Sequence, residues 1–263
     1  MTPGFSLAQD TLAAVRELRS GTADVRPVVV SGHYGLATML RRELVRGGEE
    51  GAVREGGPVD GAAALVYVLA ENADAGDVES LREAVRVGVP SVAVIVGPEG
   101  KAVGNPPYVL ASRVIRVSSG AGFPVDEIAG ALARSLGDRG SRLAARLPIL
   151  RAAVVDEAVR RYSRRNAAVA TVGGRARATM ALLTLDQVRL VLRIADAHGL
   201  AIDRERAPEI LGVVAGGFGF RGAARAAARL FPFAHWAVRG GVAYGGTRAI
   251  GEAAKRYFAA RTS

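Results

Sequence analysis

Apolar residues in the first half of the chain fall into short unbroken runs, each followed by apolar positions at helical spacing. Leu7 to Arg19 reads as a short amphipathic helix, closed by the break Ser20-Gly21-Thr22. Pro27-Val28-Val29-Val30-Ser31-Gly32 is a buried strand running into glycine, and Leu36 to Arg46 follows as a helix. A Gly/Glu-rich loop spans Gly47 to Gly61. A second strand, Ala63 to Ala70, leads to a helix over roughly Val78 to Val87. Ser91 to Val96 and Arg113 to Ser118 give two more strands, and Val125 to Leu136 a further helix. A strand covered on both faces loses its polar alternation, so near-continuous apolar runs alternating with helices predict a parallel α/β sheet with helices on both sides. The turn Gly137-Asp138-Arg139-Gly140 marks a boundary, which places an α/β domain at 1–140 and a second domain at 141–263.

Beyond that turn the pattern changes to helices alone, over Pro148–Ala170, Leu185–His198, Pro208–Phe218, Gly222–Leu230 and Ala234–Ala260. The paired glycines Gly240-Gly241 and Gly245-Gly246 are candidate breaks in the last of these. Thr184 with Gln187 three residues on has the form of a capping box, in which the two side chains satisfy the first free amides of a helix. Leu185, Val188, Val191, Leu192 and Ala195 then form an apolar face, with Asp186, Arg189, Arg193 and Asp196 opposite. Gly199 is the predicted C-terminal stop, because glycine adopts the left-handed conformation without a Cβ penalty. Asp203 and Pro208 are start signals for the next helical piece. Gly212-x-x-x-Gly216 and Gly241-x-x-x-Gly245 put small residues four apart, which lets helix backbones approach closely in lipid or in a tight soluble bundle.

Composition adds a sharp asymmetry. The 263 residues are 49% hydrophobic and 23% charged, as in a globular protein, with a net charge of +10. Residues 1–140 hold 14 basic and 17 acidic side chains, whereas residues 141–263 hold 21 basic and 8 acidic. All of the positive excess therefore lies in the helical half, which points to an anionic partner for that half. Lys101 and Lys255 are the only lysines, so the cations are almost entirely arginine. The absence of cysteine excludes disulfides, thiolate metal sites and cysteine nucleophiles. The N-terminus lacks a basic region followed by a long apolar one, so no secretory signal is predicted and the cytoplasm is expected.

Candidate chemistry is sparse. The first strand and its turn sit where a phosphate-binding loop would sit, and Gly32, Gly35 and Thr38 are the candidates for that role. A working loop of this kind also needs a lysine for the β- and γ-phosphates. Here Leu36-Ala37 stand near where Lys-Ser would be expected. The stretch AALVYVLAENADAGDVESLREAVRVGVPSVAVIVG nevertheless resembles the part of small GTPase domains that leads to their guanine-specificity loop, and RVIRVSSGAGFPVDEIAGALARSL is similar to their late strand–helix segment. The Asn-Lys-x-Asp loop is replaced by Gly97-Pro98-Glu99-Gly100, and no Asp-x-x-Gly switch is present. The resemblance implies a degenerate G-domain, Rossmann-like in class, that has lost its nucleotide; residual binding through Gly32, Gly35 and Thr38 is the other reading. No cofactor and no metal are expected, and His33, His198 and His235 lack metal-ligand spacing. His198 lies where it can interact with a helix C-terminus.

LPILRAAVVDEAVRRYSRRNAAVA, LTLDQVRLVLRIADAHGLAID and GGVAYGGTRAIGEAAKRYF resemble a bacterial family catalogued as domain of unknown function 697. The resemblance covers roughly residues 145–260. Its most specific parts are Leu183-Thr184-Leu185-x-Gln187 and Tyr244-x-x-Thr247-x-x-Ile250-Gly251. Members of that family accompany GTPase-like domains, and some are membrane proteins. The resemblance thus implies a membrane or GTPase association and supplies no catalytic residue.

A membrane-spanning helix needs about 20 apolar residues in succession. The charge-free run Ile210 to Phe220 has 11 and ends at Arg221. A central arginine costs ~2.5–3.5 kcal/mol on insertion, which argues against a span. Attachment to an anionic surface is easier: Arg221, Arg225 and Arg229 share one helix face, near Leu230-Phe231-Pro232-Phe233 and Trp236. Arg160, Arg161, Arg164 and Arg165 form a second basic cluster. Both clusters also fit the solvated outer face of a bundle helix. Nucleic acid is the rival anion; with aromatics at 5% and no helix-turn-helix, RNP or zinc signature, it is the weaker one. The expected function is a non-catalytic accessory or scaffold protein that joins a GTPase-related partner to the inner face of the cytoplasmic membrane. The alternative is a nucleotide-binding switch with a non-standard phosphate loop.

Overall fold

A computed structural model describes residues 26–70, 72–98, 104–172, 176–200 and 235–262. It divides into two compact units, one ending at Val154 and the other beginning at Val155. The first is a parallel sheet with flanking helices, and the second is helical.

Strands β1 (Val28–Gly32), β2 (Val53–Glu55), β3 (Ala64–Ala70), β4 (Ser91–Gly97) and β5 (Val114–Ser118) form one sheet in the order β2-β1-β3-β4-β5. Every neighbouring pair is parallel. Helices α1 (Tyr34–Val45), α2 (Ala75–Arg86) and α3 (Val125–Leu136) cover it. Val28, Val29, Val30, Leu65, Val66, Val68, Val92 and Val94 are fully buried, which explains why their strands read as continuous apolar runs. Val29, Leu65, Tyr67 and Ile95 form one packed cluster with Leu81 and Ala84 of α2. Leu40 and Leu44 of α1 and Ile128 and Leu132 of α3 are buried outside that cluster.

β2 falls inside the segment expected to be a loop. It is three residues long and two of them are charged, so no hydrophobic run announces it. Its backbone pairs with β1, and Arg54 and Glu55 keep their side chains toward polar partners. α2 starts earlier than its apolar pattern suggests. Asp74 accepts from the Asp77 amide at 2.8 Å, and Asp77 accepts from the Asp74 amide at 2.9 Å, a reciprocal cap built from two aspartates.

The second unit contains most of α5 (Pro148–Val172), and it holds α6 (Ala176–Ala197) and α7 (His235–Thr262); a short α4 (Gly140–Arg146) precedes them. α6 corrects two expectations. Thr184 is interior to it and donates its hydroxyl to the Met180 carbonyl at 2.9 Å, so the predicted capping box is absent. The strong helix formers from Ala176 onward carry the helix through that point. Asp186 and Asp196, placed on the outer face by periodicity, are only 2% and 5% exposed. Gly199 does stop the helix, with φ +73°. The Leu200 amide reaches the Ala195 carbonyl and the Gly199 amide the Asp196 carbonyl, both at about 3 Å, the Schellman arrangement.

α7 runs unbroken through both glycine pairs. A Cβ on Gly240 would lie 2.6 Å from Thr171 Oγ1, and one on Gly251 would lie 2.6 Å from Val159 Cγ2. These are the glycines that let α5 and α7 approach. Gly241 and Gly245, the pair with four-residue spacing, meet open space instead and are exposed. The expected helices Leu7–Arg19, Pro208–Phe218 and Gly222–Leu230, together with Gly212-x-x-x-Gly216, lie outside the described residues.

Two predictions test the sheet unit. Gly32 has φ +106°, and a Cβ there would lie 2.0 Å from the Val68 carbonyl oxygen, whereas a Cβ on Gly35 meets nothing within 4 Å. Gly32→Ala should therefore cost about 2 kcal/mol or more in denaturant unfolding, and Gly35→Ala should be neutral or stabilise by up to about 1 kcal/mol; equal effects would contradict the close approach. Tyr67, 5% exposed, donates its hydroxyl to Asp77 Oδ1 at 3.0 Å. Burial raises its pKa above the ordinary 10.0; a side-chain hydrogen bond with Ser80 opposes this, and the nearby Asp77 and Asp74 carboxylates add to the rise. The folded state then keeps a proton that the unfolded chain has lost, so this contribution is intact below about pH 10 and declines as pH rises toward the folded value. Unfolding free energies measured from about pH 9 to about pH 11 should fall less steeply for Tyr67→Phe than for the wild type, and parallel curves would count against the assignment.

Candidate functional site

At the turn between β1 and α1 the connection is His33 alone. The His33 amide donates to the Val68 carbonyl at 2.8 Å, tying the turn to the neighbouring strand. Gly35 is exposed in the first turn of α1. Thr38, one turn further on, donates its hydroxyl to the Tyr34 carbonyl at 3.0 Å and lies 2.5 Å from Glu55 Oε1. Gly32, Gly35 and Thr38 are thus close together at one strand–helix junction. Their visible roles are internal: a backbone close approach, an open helix position, and a bridge from α1 to β2. A loop that wraps a phosphate needs several successive amides aimed at the anion, and one connecting residue does not provide them. Across the sheet, the Gly97 carbonyl accepts from the Ser119 amide at 2.8 Å. Glu99 and Gly100 lie outside the described residues.

The basic cluster of α5 divides by helical position. Arg165 is one i+4 step from Arg161, and its Nε lies 3.0 Å from Asp186 Oδ2. Arg189 Nη1 approaches the same carboxylate at 3.7 Å. A carboxylate buried to this degree stays charged only if paired and hydrogen-bonded, so Arg165, itself largely exposed, is tied to the buried Asp186 of α6. Arg160 and Arg164 occupy the adjacent face. Arg160 Nη1 pairs with Glu157 Oε2 at 2.9 Å. Arg164 is exposed and makes no ion pair or hydrogen bond among the described residues.

That second face borders an open groove of about 390 Å³ between α5 and α7. α7 contributes Tyr244, Arg248 and Lys255, spaced so that all three lie on one side of the helix. Lys255 Nζ is 2.5 Å from Asp156 Oδ1, and Arg248, like Arg164, has no ion-pair partner among the described residues. The seam beside the groove is polar at its centre. Asn166 Nδ2 donates to Thr247 Oγ1 at 2.9 Å, with both residues fully buried. The hydroxyl of fully buried Ser163, which lines the groove, has no hydrogen-bond partner.

Arg248, Lys255, Ser163 and Asn166 were not visible as site residues in the sequence. The available signal was the spacing of Tyr244, Arg248 and Lys255 on one face of the last helix, which becomes meaningful only once that face is known to lie beside Arg160 and Arg164. His198 buries its ring against Phe258 and donates from Nδ1 to the Ile194 carbonyl at 2.8 Å, as expected for a residue at a helix C-terminus. His33 is exposed before α1, and His235 is the first residue of α7. Arg221, Arg225 and Arg229 lie outside the described residues. Among the described residues no helix is long and apolar enough to cross a membrane, and no cluster of three His, Asp or Glu side chains could hold a metal ion.

The two arginines Arg164 and Arg165 should behave differently. Arg165→Ala removes an ion-pair partner of a buried carboxylate and should destabilise by about 1–3 kcal/mol, whereas Arg164→Ala, with no ion pair among the described residues, should stay within about 0.5 kcal/mol of the wild type. Chemical denaturation of both variants checks this, and an Arg164→Ala loss as large as that of Arg165→Ala would contradict the division of the cluster.

No protein-family model, curated protein or solved structure matches this chain.

Proposed function

We propose that the chain is a non-catalytic accessory or scaffold protein whose helical unit contacts an anionic membrane surface, with the sheet unit serving as a structural or protein-binding module for a GTPase-related partner. The observation that carries this reading is the pair Arg164 and Arg248, exposed cations that border one groove and have no carboxylate partner among the described residues. The net charge supports it: the positive excess lies entirely in residues 141–263. The non-catalytic part is supported by the strand–helix turn, where the Thr38 hydroxyl and the His33 amide already serve acceptors within the protein. The GTPase association follows from the resemblance of the two halves to GTPase-like and GTPase-associated sequences. The inner face of the cytoplasmic membrane is the anionic surface such a protein would meet.

Each basic side chain near an anionic surface contributes about 1 kcal/mol, so a contact through a few arginines is weak and sensitive to salt. The full chain should co-sediment with anionic vesicles at about 50 mM salt and be released at about 500 mM, with no binding to neutral vesicles. Changing Arg221, Arg225 and Arg229 to Glu should weaken that binding further. Salt-resistant binding would overturn peripheral attachment in favour of insertion, and absence of binding at low salt would remove the membrane from the proposal.

A further inference from the structure

We infer that the groove between α5 and α7 is a binding site for a phosphate group, carried by a lipid headgroup or by a soluble phosphorylated compound. This deepens the reading of the helical unit as the anion-facing part of the chain, and it rests on four observations. The first is charge. Arg160, Arg164, Arg248 and Lys255 line the groove against two carboxylates, Asp156 and Glu252. Asp156 is already held by Lys255, and Arg160 by Glu157, while Arg164 and Arg248 line the groove with no ion-pair partner among the described residues. Two guanidinium groups supply planar donor pairs that fit phosphate oxygens, a geometry that ammonium groups lack.

The second observation is the Ser163 hydroxyl. Ser163 lies between Arg160 and Arg164 in sequence and also lines the groove. It is 0% exposed, and its Oγ has no hydrogen-bond partner. A buried hydroxyl left unsatisfied is unfavourable, so a group that accepts from it is favoured there. Rotation about χ1 is the movement that would turn it toward an anion seated between the arginines, and a phosphate oxygen would accept from it.

The third is rigidity. The two walls are pinned next to the groove by the Asn166–Thr247 hydrogen bond and by the close approach at Gly251, so the arginine-bearing faces keep a fixed separation. The fourth is size. At about 390 Å³ the groove is in the range of small-molecule sites and larger than one phosphate needs. That leaves room for the group the phosphate is attached to, with Tyr244 as a further donor.

Glu252 gives the proposal a test of sign. Its carboxylate lies in the groove with no ion-pair partner among the described residues, so Glu252→Gln should strengthen phosphate binding while Arg164→Gln/Arg248→Gln weakens it. The full chain and these variants would be titrated with inorganic pyrophosphate by calorimetry, and tested on vesicles of phosphatidic acid and of phosphatidylserine at matched surface charge. Circular dichroism and melting of each variant control for folding, and Ser163→Ala serves as a variant that keeps all charges. The expected result is roughly tenfold or greater loss of pyrophosphate affinity in the double variant, a gain of several-fold in Glu252→Gln, and a smaller loss in Ser163→Ala.

Pyrophosphate binding with these dependences but no vesicle binding would keep the groove, identify a soluble ligand and remove the membrane. A preference for phosphatidic acid that depends on Arg164 and Arg248 would identify the headgroup as the source. Vesicle binding indifferent to Arg164, Arg248 and Glu252, with no pyrophosphate bound, would overturn the groove and leave the general surface contact standing. Failure of both assays with folded protein would overturn both.

Discussion

The seam between α5 and α7 depends on how closely the two helices can approach. Gly240 and Gly251 stand where any Cβ would press on Thr171 and Val159, and Asn166 bonds Thr247 between those two points. Both polar residues are fully buried, so the pair must be matched in register or be left costly. A shift of one residue along either helix would separate Asn166 from Thr247 and bring a side chain against Val159 at once. The seam is therefore specified in register as well as in distance. Its consequence for the surface follows from helical geometry: positions three and four residues from the seam flank it. Arg160 and Arg164 lie to one side of Ser163 and Asn166, and Tyr244 and Arg248 to one side of Thr247. The glycines thus fix the separation of the groove walls, although none of them lines the groove.

What the sequence disclosed and what it hid divide along this line. Strands β1, β3 and β4 were legible because a parallel strand covered on both faces must be apolar at nearly every position, and the edge strand β5 because apolar Val114, Ile115 and Val117 mark it although Arg116 and Ser118 are exposed. β2 was not, because pairing through Val53, Arg54 and Glu55 is a backbone property that side-chain type does not announce. The start of α2 was written in Asp74 and Asp77, but as a pair of aspartates where a Ser or Thr with Glu or Gln is the usual sign. Thr184 with Gln187 carried that usual sign and misled, since a threonine hydroxyl is satisfied equally by the carbonyl four residues back inside a helix. Periodicity put Asp186 outside because it treats a charge as solvated. It cannot register that Arg165, on another helix, supplies the counter-charge. The glycine pairs failed for a related reason: four-residue spacing marked Gly241 and Gly245, whereas the contact with α5 uses Gly240 and Gly251, three turns apart.

The candidate site shows the same limit. Arg160, Arg161, Arg164 and Arg165 stood out as one cluster along the chain, yet they do different things in space. Arg165 pairs with a buried aspartate, Arg160 with Glu157, and Arg164 alone of these three exposed side chains has no ion-pair partner among the described residues. Arg248 and Lys255 lie seven residues apart and belong to no basic cluster like that of Arg160 to Arg165. Only the pairing of helix faces brings them beside Arg164. At the other candidate, the glycine-rich end of β1, a residue type common in phosphate loops is present for a different cause, the contact of Gly32 with the backbone of Val68.

A count of arginines alone therefore overstates the positive surface. A cation held by a carboxylate at 2.5–3.0 Å, as Lys255, Arg160 and Arg165 are, projects little field beyond its partner. What reaches an approaching anion is the remainder, and between α5 and α7 that remainder is concentrated in Arg164 and Arg248, opposed by Glu252. A diffuse arginine surface would attract any polyanion in proportion to its charge, whereas two guanidinium groups at a fixed separation favour an anion of matching size and donor demand. The register set by Gly251 and by the Asn166–Thr247 bond is what would convert the first kind of surface into the second. Selectivity between anions of equal charge, more than strength of attraction, is therefore the property that this packing would confer.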